Sequence, residues 1–155
     1  MSDNSELRPI HQAKPISSTY CDPVLIKDGT VSCLYRVSRA GKYFIIKTAK
    51  GESGAYADLI RREYELSIAL SHPYIVSVFT FEEVTPVGPG IVMEYIDGYT
   101  LTEFIGQNPS RRLRRRAVDQ LLDAVAYLHN KGIVHNDLKP DNILISRVDN
   151  TLKII

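Results

Sequence analysis

The chain has 155 residues, of which 44% are hydrophobic and 24% are charged, as in an ordinary globular domain and unlike a disordered tail or a coiled coil. Nineteen basic and eighteen acidic side chains give a formal net charge of +1, which excludes a general attraction to nucleic acid or to an anionic membrane. Two cysteines without CxxC spacing and four histidines without an i, i+4 pair indicate no metal site and favour a reduced, cytoplasmic protein. No segment approaches the roughly 18 apolar residues of a membrane-spanning helix.

Polar residues dominate the start of the chain, and residues 1–19 are predicted to be a flexible leader. Three runs rich in β-branched and aromatic residues follow at 24–26, 33–37 and 43–48. Glycine-bearing turns separate these runs. The pattern predicts three strands in an antiparallel meander.

A helix is predicted over 55–70, because apolar residues recur there at steps of three and four, namely at Leu59, Ile60, Leu66 and Leu70. It ends before His72-Pro73, since proline disfavours helical geometry in the preceding residue. Two more strands are predicted at 75–83 and 91–95, with a turn rich in proline and glycine at 86–90 between them.

The second half of the chain is predicted to be mainly helical. A short helix is expected at 101–105, and the longest helix from Asn108-Pro109 to Gly132. The apolar stripe of this long helix consists of Leu113, Ala117, Leu121, Ala124, Val125 and Leu128. Two short strands follow at 143–145 and 152–155. Together the elements predict an α+β fold.

The segment HNDLKPDN at 135–142 concentrates chemical groups in a loop between the long helix and a strand. The carboxylate of Asp137 can accept a hydroxyl proton, and the ammonium of Lys139 can meet phosphate charge. The amide oxygen of Asn142 can ligate Mg²⁺. Such a set of groups is typical of phosphoryl transfer. The alternative interpretation is that the segment is only a hydrogen-bonded surface loop.

This octapeptide resembles the catalytic loop HRDLKPxN of the serine/threonine branch of the protein kinase family. The resemblance implies that Asp137 is the catalytic base that orients a substrate hydroxyl and that Lys139 steadies the transferring phosphoryl group. It implies that Asn142 is a magnesium ligand, that the cofactors are ATP and Mg²⁺, and that the substrate is a protein. Lysine two residues after the aspartate favours a protein kinase over a kinase of small molecules on a related fold.

A second landmark is Lys47, which ends the apolar run 44–46, where the resemblance places the lysine that holds the α- and β-phosphates. Its predicted partner is Glu63 on the following helix. Glu63 lies four residues after Leu59 and three before Leu66, so we expect it on an inward face, where a carboxylate needs a cation.

A third landmark is the run 91–98, IVMEYIDG, which resembles the fifth strand of a kinase and the hinge between its two lobes. The resemblance implies an adenine pocket with Met93 at its back, Glu94 next to it, and backbone groups of Tyr95 and Ile96 at its edge. Apolar cover would come from Ile26, Leu34 and Leu144. Each apolar residue, taken alone, is explained equally well as ordinary core.

The sequence departs from the family pattern in three regions: the glycine-rich motif, the third strand and the catalytic loop. The glycine-rich motif GxGxxGxV has Lys27, Gly29 and Ser32 at its glycine positions and Leu34 at its valine, so one glycine remains. Ile45 stands where the family has a small residue facing adenine, and Asn136 replaces the arginine of the catalytic loop. Lys27, Ser32 and Ile45 support the alternative of a pseudokinase or docking module with impaired nucleotide binding.

The resemblance also sets expectations for the domain organisation. It predicts a five-stranded antiparallel N-lobe with one main helix at 20–95, and a hinge and an incomplete helical C-lobe at 96–155. The chain is expected to be truncated just before DFG and inactive alone. The stripe around Leu121 and Leu128 is then expected to be uncovered, which predicts self-association. The arginine-rich run 111–116 is interpreted as a solvated helix face in preference to a nucleic-acid contact.

Overall fold

The computed structural model describes residues 20–51 and 54–155, so the predicted leader at 1–19 lies outside the described residues. Five strands form one antiparallel sheet in the order β1-β2-β3-β5-β4. They are β1 (Cys21–Asp28), β2 (Ser32–Arg39), β3 (Lys42–Ala49), β4 (Val78–Val84) and β5 (Gly88–Glu94). This sheet contains the predicted meander and both of the later strands, each extended by a few residues or shifted at one end.

Three α-helices and a second sheet complete the described structure. The helices are α1 (Gly54–Ser67), α2 (Leu101–Gly106) and α3 (Arg111–Asn130). The second sheet has the order β6-β7-β8, with β6 (Gly98–Thr100), β7 (Ile143–Ser146) and β8 (Leu152–Ile154). A 3₁₀ turn at Pro140–Asn142 leads into β7. Strand β6 and this turn were not predicted from the sequence.

A two-residue turn connects β2 to β3. Ala40 and Gly41 both have positive φ angles, 50° and 75°, as in the hairpin turn whose twist matches that of the flanking strands. Glycine adopts this conformation without steric cost. The turn fixes the register in which Leu34 is opposite Lys47.

Alternation along β3 divides the apolar residues of the sheet between two clusters. Ile46 packs on one face, with Val37 and Val92. Its neighbour Ile45 packs on the other face with Ile60 of α1. Helix α1 therefore covers one face of the sheet and presents its side chains toward β3 and β5.

A third cluster joins α3 to the second sheet. Ala117, Ala124 and Leu128 of α3 are buried against Leu152 and Ile154 of β8. The expectation that the stripe around Leu128 is uncovered is therefore wrong, because β8 and the segment before β4 pack on it. Leu121 is half-buried in the same cluster.

The long helix begins later than the sequence suggested. Its N-cap is Ser110, whose hydroxyl accepts a hydrogen bond from the main-chain nitrogen of Leu113. Asn108 instead adopts a left-handed conformation with φ of 50°, which places it in the connection after α2. Asn108 and Ser110 are both residue types that are preferred at an N-cap. Ser110 provides the cap because its backbone has the conformation that a cap requires.

Helix α1 ends at Ser67, three residues before the predicted end, and β4 begins at Val78 instead of residue 75. Leu70 turns away from α1 and packs with the α3 cluster. Ile75 pairs in parallel with Ile154 of β8, outside the first sheet. The intervening segment therefore connects the two sheets. Within the described part of the chain, no helix combines the length and apolar character needed to cross a membrane.

Candidate active site

A cleft of about 480 Å³ lies between the first sheet and the loop that follows α3. Its lining from the sheet and from α1 includes Gly29, Leu34, Lys47, Glu63, Met93 and Glu94. Its lining from the opposite side includes His135, Asp137, Asn142 and Ile154. Eight of the residues predicted for the site thus lie around one opening, although they come from segments far apart in the chain.

Lys47 and Glu63 form an ion pair at the wall of this cleft. The ammonium nitrogen lies 2.6 Å from each carboxylate oxygen. The two side chains are 25% and 41% exposed, so the pair is open to the cleft. On β3, Lys47 stands between Leu34 of β2 and Ile91 of β5, which fixes its stem.

The floor of the sheet side is apolar. Met93 is opposite Ile45 in the register of β3 and β5, and both are buried. Ile91, which is opposite Lys47 two pairs further along, is fully buried. A flat apolar ring can therefore contact this part of the cleft, while Lys47 holds a positive charge beside it.

Hydrogen bonds hold the three polar side chains of the loop together. Nζ of Lys139 lies 3.0 and 2.9 Å from the two carboxylate oxygens of Asp137. The side-chain nitrogen of Asn142 donates to the main-chain oxygen of Asp137 at 2.9 Å and to its Oδ2 at 2.8 Å. The carboxylate is consequently fixed in direction while remaining exposed to the cleft.

The surrounding backbone braces this loop. The main-chain nitrogen of Asp137 donates to the main-chain oxygen of His135 at 2.8 Å. Nε2 of His135 lies 3.3 Å from the main-chain oxygen of Ile155, whose nitrogen donates to the oxygen of Asn142 at 3.0 Å. Asn136 takes the left-handed conformation, φ 60°, in which asparagine is among the better tolerated residues.

The ionisation of Asp137 follows from these contacts. Hydrogen bonds from Lys139 first, and from Asn142 second, lower the pKa of Asp137 below its ordinary value of 3.8. The group is therefore a weak base that stays charged near neutral pH. It is suited to accept a hydrogen bond and orient a hydroxyl, more than to hold a proton.

The hydrogen bonds of Asn142 decide which of its side-chain atoms is available to a metal ion. Because its side-chain nitrogen points to Asp137, its side-chain oxygen is left to face other groups. Oxygen ligands are those that Mg²⁺ prefers. Within residues 20–51 and 54–155, no cluster of three or more His, Cys, Asp or Glu side chains is placed to hold a metal. The described residues therefore fit a magnesium ion to which Asn142 contributes one ligand, its side-chain oxygen.

The turn between β1 and β2 covers one end of the cleft and explains the retained glycine. The main-chain nitrogen of Gly29 donates to the oxygen of Ser32 at 3.0 Å. A Cβ atom at Gly29 would lie 2.8 Å from that same oxygen, closer than side chains approach backbone. Lys27 and Ser32, at the two altered glycine positions, both line the cleft.

Four residues predicted for the site are not among those that line the cleft. Ile26 is half-exposed on the edge strand β1. Leu144 is opposite Lys153 in the second sheet, and Ile96 lies in the connection after β5. Lys139 reaches the cleft only through its ion pair with Asp137. Their predicted contacts with a nucleotide remain predictions.

Comparison with known proteins agrees with this arrangement. The family described as protein kinase domain matches residues 23–155. The chain belongs to the protein kinase family. The residues of this kinase chain correspond to the N-terminal part of the catalytic domain, and the predicted fold class is confirmed.

Individual relatives support the same placement. Calcium/calmodulin-dependent protein kinase type IV of Mus musculus is 38% identical over 120 residues, which are 75% of this chain and 25% of the relative. Serine/threonine-protein kinase PknB of Mycolicibacterium smegmatis is 44% identical over 101 residues, 61% of this chain and 16% of the relative. The kinase chain thus spans a quarter or less of these two relatives.

A solved structure is similar over most of the described residues. The crystal structure of Rad53 1–466 in complex with AMP-PNP has a TM-score of 0.70 and 32% sequence identity to this chain. The match covers 89% of the kinase chain and 37% of the Rad53 chain.

Sequence reasoning missed one charged residue beside the cleft. Lys153 of β8 forms an ion pair with Glu94, at 2.9 Å. The available signal was a lysine between two apolar residues, Leu152 and Ile154, in a short strand. That pattern predicts only that Lys153 projects from the other face, so its partner 59 residues earlier in the chain could not be identified.

Proposed function

We propose that this chain carries the nucleotide-binding part and the catalytic loop of a serine/threonine protein kinase, which transfers the γ-phosphoryl group of ATP to protein hydroxyl groups. The observation that carries the proposal is the shared cleft, which the Lys47–Glu63 pair lines on one side and Asp137 and Asn142 line on the other. The serine/threonine kinases among its relatives, and the AMP-PNP complex of Rad53, support it.

Each polar residue has a separate role in this proposal. Lys47, held in direction by Glu63, binds the phosphates of the nucleotide. Asp137 accepts a hydrogen bond from the substrate hydroxyl and orients its oxygen toward the γ-phosphorus. Lys139, which already contacts Asp137, stabilises negative charge on the transferring group.

Asn142 is the residue that would hold magnesium, through its side-chain oxygen. The metal, when bound, supplies positive charge that neutralises the phosphate oxygens. Glu94 and Met93 lie along the apolar part of the cleft, where the adenine ring is proposed to bind. Ile26, Leu34, Ile96 and Leu144 are proposed to complete its apolar surroundings.

The remaining parts of the proposal concern the context of the reaction. We place the two lobes at 20–95 and 96–155, and we propose a cytoplasmic location, a protein substrate, no nucleic-acid partner and self-association. Residues 1–155 by themselves are proposed to transfer no phosphoryl group at a measurable rate. This proposal is supported by the resemblance, which assigns magnesium two protein ligands, namely Asn142 and the DFG aspartate. Of these two ligands, the described residues contain Asn142.

A second candidate function is a pseudokinase or docking module. It is favoured by Lys27 and Ser32, whose side chains occupy the cleft lining where the family pattern has glycines. Ile45, which also lines the cleft, stands where the family pattern has a small residue. This alternative predicts that nucleotide affinity is negligible, whereas the first proposal requires measurable binding of ATP.

Nucleotide binding distinguishes the two candidates. ATP with magnesium is titrated into the isotope-labelled chain and followed by NMR, with Lys47→Met as the test variant. Lys50→Met is the matched control, because Lys50 also pairs with a carboxylate, Asp28 at 2.7 Å, but does not line the cleft. We expect Lys47→Met alone to weaken binding. Equal affinities in the two variants would contradict the assignment of Lys47.

Phosphoryl transfer by the full-length protein tests the catalytic loop. We expect Asp137→Asn to lower the rate of transfer to a protein substrate by at least about a hundredfold, the usual contribution of a positioned acid or base. Nucleotide affinity should stay the same, since Asp137 acts on the hydroxyl. An unchanged rate in this variant would refute the kinase proposal.

A further inference from the structure

The structure assigns a further role to Lys153: it is a positioning residue that fixes the nucleotide-facing end of β5 to the strand that supports the catalytic loop. This inference rests on the proposed function. Nζ of Lys153 lies 2.9 Å from Oε2 of Glu94, and the two side chains are 15% and 29% exposed. The pair joins the first sheet to the second, across 59 residues of sequence.

Glu94 is held from a second direction. Its Oε2 accepts a hydrogen bond from the main-chain nitrogen of Ser77 at 3.1 Å, and its own main-chain nitrogen donates to the oxygen of Ser77 at 2.9 Å. The carboxylate therefore connects three segments, namely the end of β5, the segment before β4, and β8. Glu94 also lines the cleft, so its position affects the edge at which a nucleotide binds.

Strand β8 is anchored independently of this ion pair. Leu152 and Ile154 are buried in the α3 cluster, so Lys153 between them projects from the opposite face toward β5. The main-chain nitrogen of Val76 donates to the oxygen of Ile154, and the nitrogen of Ile154 donates to the oxygen of Tyr74, both at 2.9 Å. The backbone of Lys153 is thus held by its neighbours, and its ammonium group contacts Glu94 of the first sheet.

The same strand continues directly into contacts with the catalytic loop. Two residues after Lys153, the main-chain nitrogen of Ile155 donates to the oxygen of Asn142 at 3.0 Å. The main-chain oxygen of Ile155 lies 3.3 Å from Nε2 of His135. A continuous set of contacts therefore runs from Glu94, at the nucleotide edge, to the loop that carries Asp137.

The environment makes this pair different from the ion pairs of the surface. Arg115 and Asp119 on α3 are both largely exposed and 3.9 Å apart, so water and salt screen their attraction. Lys153 and Glu94 are mostly shielded and closer together. Removal of the lysine leaves a partly buried carboxylate without its cation, and we expect Glu94 and the end of β5 to shift.

The test uses Lys153→Met, with Lys153→Arg as a conservative rescue and Arg115→Met as the matched control. Two quantities are measured by NMR on each folded variant: the dissociation constant for magnesium-ATP, and hydrogen exchange at the amides of Val76, Ile154 and Ile155 without nucleotide. We expect Lys153→Met to weaken ATP binding by roughly threefold to thirtyfold and to accelerate exchange. Arginine should restore both quantities, and Arg115→Met should leave both unchanged.

Glu94→Gln provides an independent variant, since it retains an acceptor for Ser77 but removes the charge that attracts Lys153. It should show the same two effects, and the double variant with Lys153→Met should be no worse than either alone. Unchanged affinity and exchange in these variants would overturn the inference while leaving the proposed function intact. If the unaltered chain binds no ATP, the proposed function fails. The role of Lys153 is then still tested by hydrogen exchange, and unchanged exchange in the Lys153 and Glu94 variants would overturn it.

Discussion

The ammonium of Lys47 lies 2.6 Å from both carboxylate oxygens of Glu63, which joins β3 to α1 at the wall of the cleft. Both side chains are partly exposed, so the pair contributes little to folding, about 0.2–1 kcal/mol. Its consequence is geometric. The lysine is held at one place in the cleft, so it is already positioned for the phosphate binding that the proposed function assigns to it.

Glu63→Gln should therefore weaken binding of magnesium-ATP by roughly threefold to tenfold, an effect of the order of 1 kcal/mol for a lost charged hydrogen bond. The free energy of unfolding should fall by less than about 1 kcal/mol. Glu65→Gln is the control, because Glu65 is exposed on the same helix and does not line the cleft. Titrations monitored by NMR measure both affinities, and an equal loss in the control would count against the pairing.

The pKa of Asp137 gives a prediction about pH. Because contacts with Lys139 and Asn142 lower this pKa below 3.8, these contacts persist as the pH falls to that value and are lost only below it. A carboxyl ¹³C titration should give a midpoint below 3.8, and Lys139→Met should raise it toward 3.8. Lys42→Met, on the outer end of β3, should leave the midpoint unchanged. A midpoint above 3.8 in the unaltered chain would show that the lysine contact is absent in solution.

The pairing of Lys47 with Glu63 was predictable, but part of the reasoning behind it was wrong. Leu59 and Leu66 were expected to face inward beside Glu63, and both are at least half-exposed. Ile60, three residues before Glu63, is the buried residue of α1. Helical periodicity identifies which residues share a face, but the sheet decides which apolar face is covered. The prediction of Glu63 succeeded because it shares a face with Ile60 as well.

Local patterns predicted the strands, the long helix and the polar loop at 135–142, because each depends on residues close together in sequence. The ends of elements were less predictable. Asn108 and Ser110 both satisfy the preference for an N-cap, and only the backbone conformation selects Ser110. Contacts across long separations gave no local signal at all. Strand β6 and the pair between Glu94 and Lys153 both require the second sheet to be in place.

Gly29 is predicted to be required by the turn between β1 and β2. A methyl group there would approach the main-chain oxygen of Ser32 to 2.8 Å, and backbone cannot yield as a side chain can. Gly29→Ala should lower the free energy of unfolding by about 0.5–3 kcal/mol and weaken ATP binding. Gly54 is at the start of α1, where an added Cβ atom would meet no neighbouring atom within 4 Å. Gly54→Ala should therefore leave the free energy of unfolding unchanged or raise it by less than about 1 kcal/mol. Urea unfolding followed by circular dichroism compares the two, and equal stabilities would show that the turn can relax.

Gln120 is a buried polar residue whose side chain connects α3 to β8. Its Oε1 accepts a hydrogen bond from the main-chain nitrogen of Leu152 at 2.9 Å. Gln120→Met keeps the size of the side chain but leaves that buried nitrogen without an acceptor, so unfolding should cost about 1–3 kcal/mol less. Arg114→Met places the same new side chain at an exposed position of the helix and should change stability by less than about 0.5 kcal/mol. Similar stabilities in the two variants would indicate that water replaces the glutamine.

Self-association is predicted to involve the outward face of α3, since the inward stripe is covered. Val118 and Leu122 are 54% and 62% exposed and lie one turn apart, so two apolar side chains stand side by side on the outward face, where a second copy of the chain can cover them. Sedimentation equilibrium should show an average mass that rises with protein concentration, and Leu122→Lys should shift it toward the monomer because a charge at the interface must be desolvated. Leu59→Lys, an exposed leucine of α1, should have no such effect. A monomeric mass at all concentrations, or an equal shift in both variants, would exclude this face as the contact.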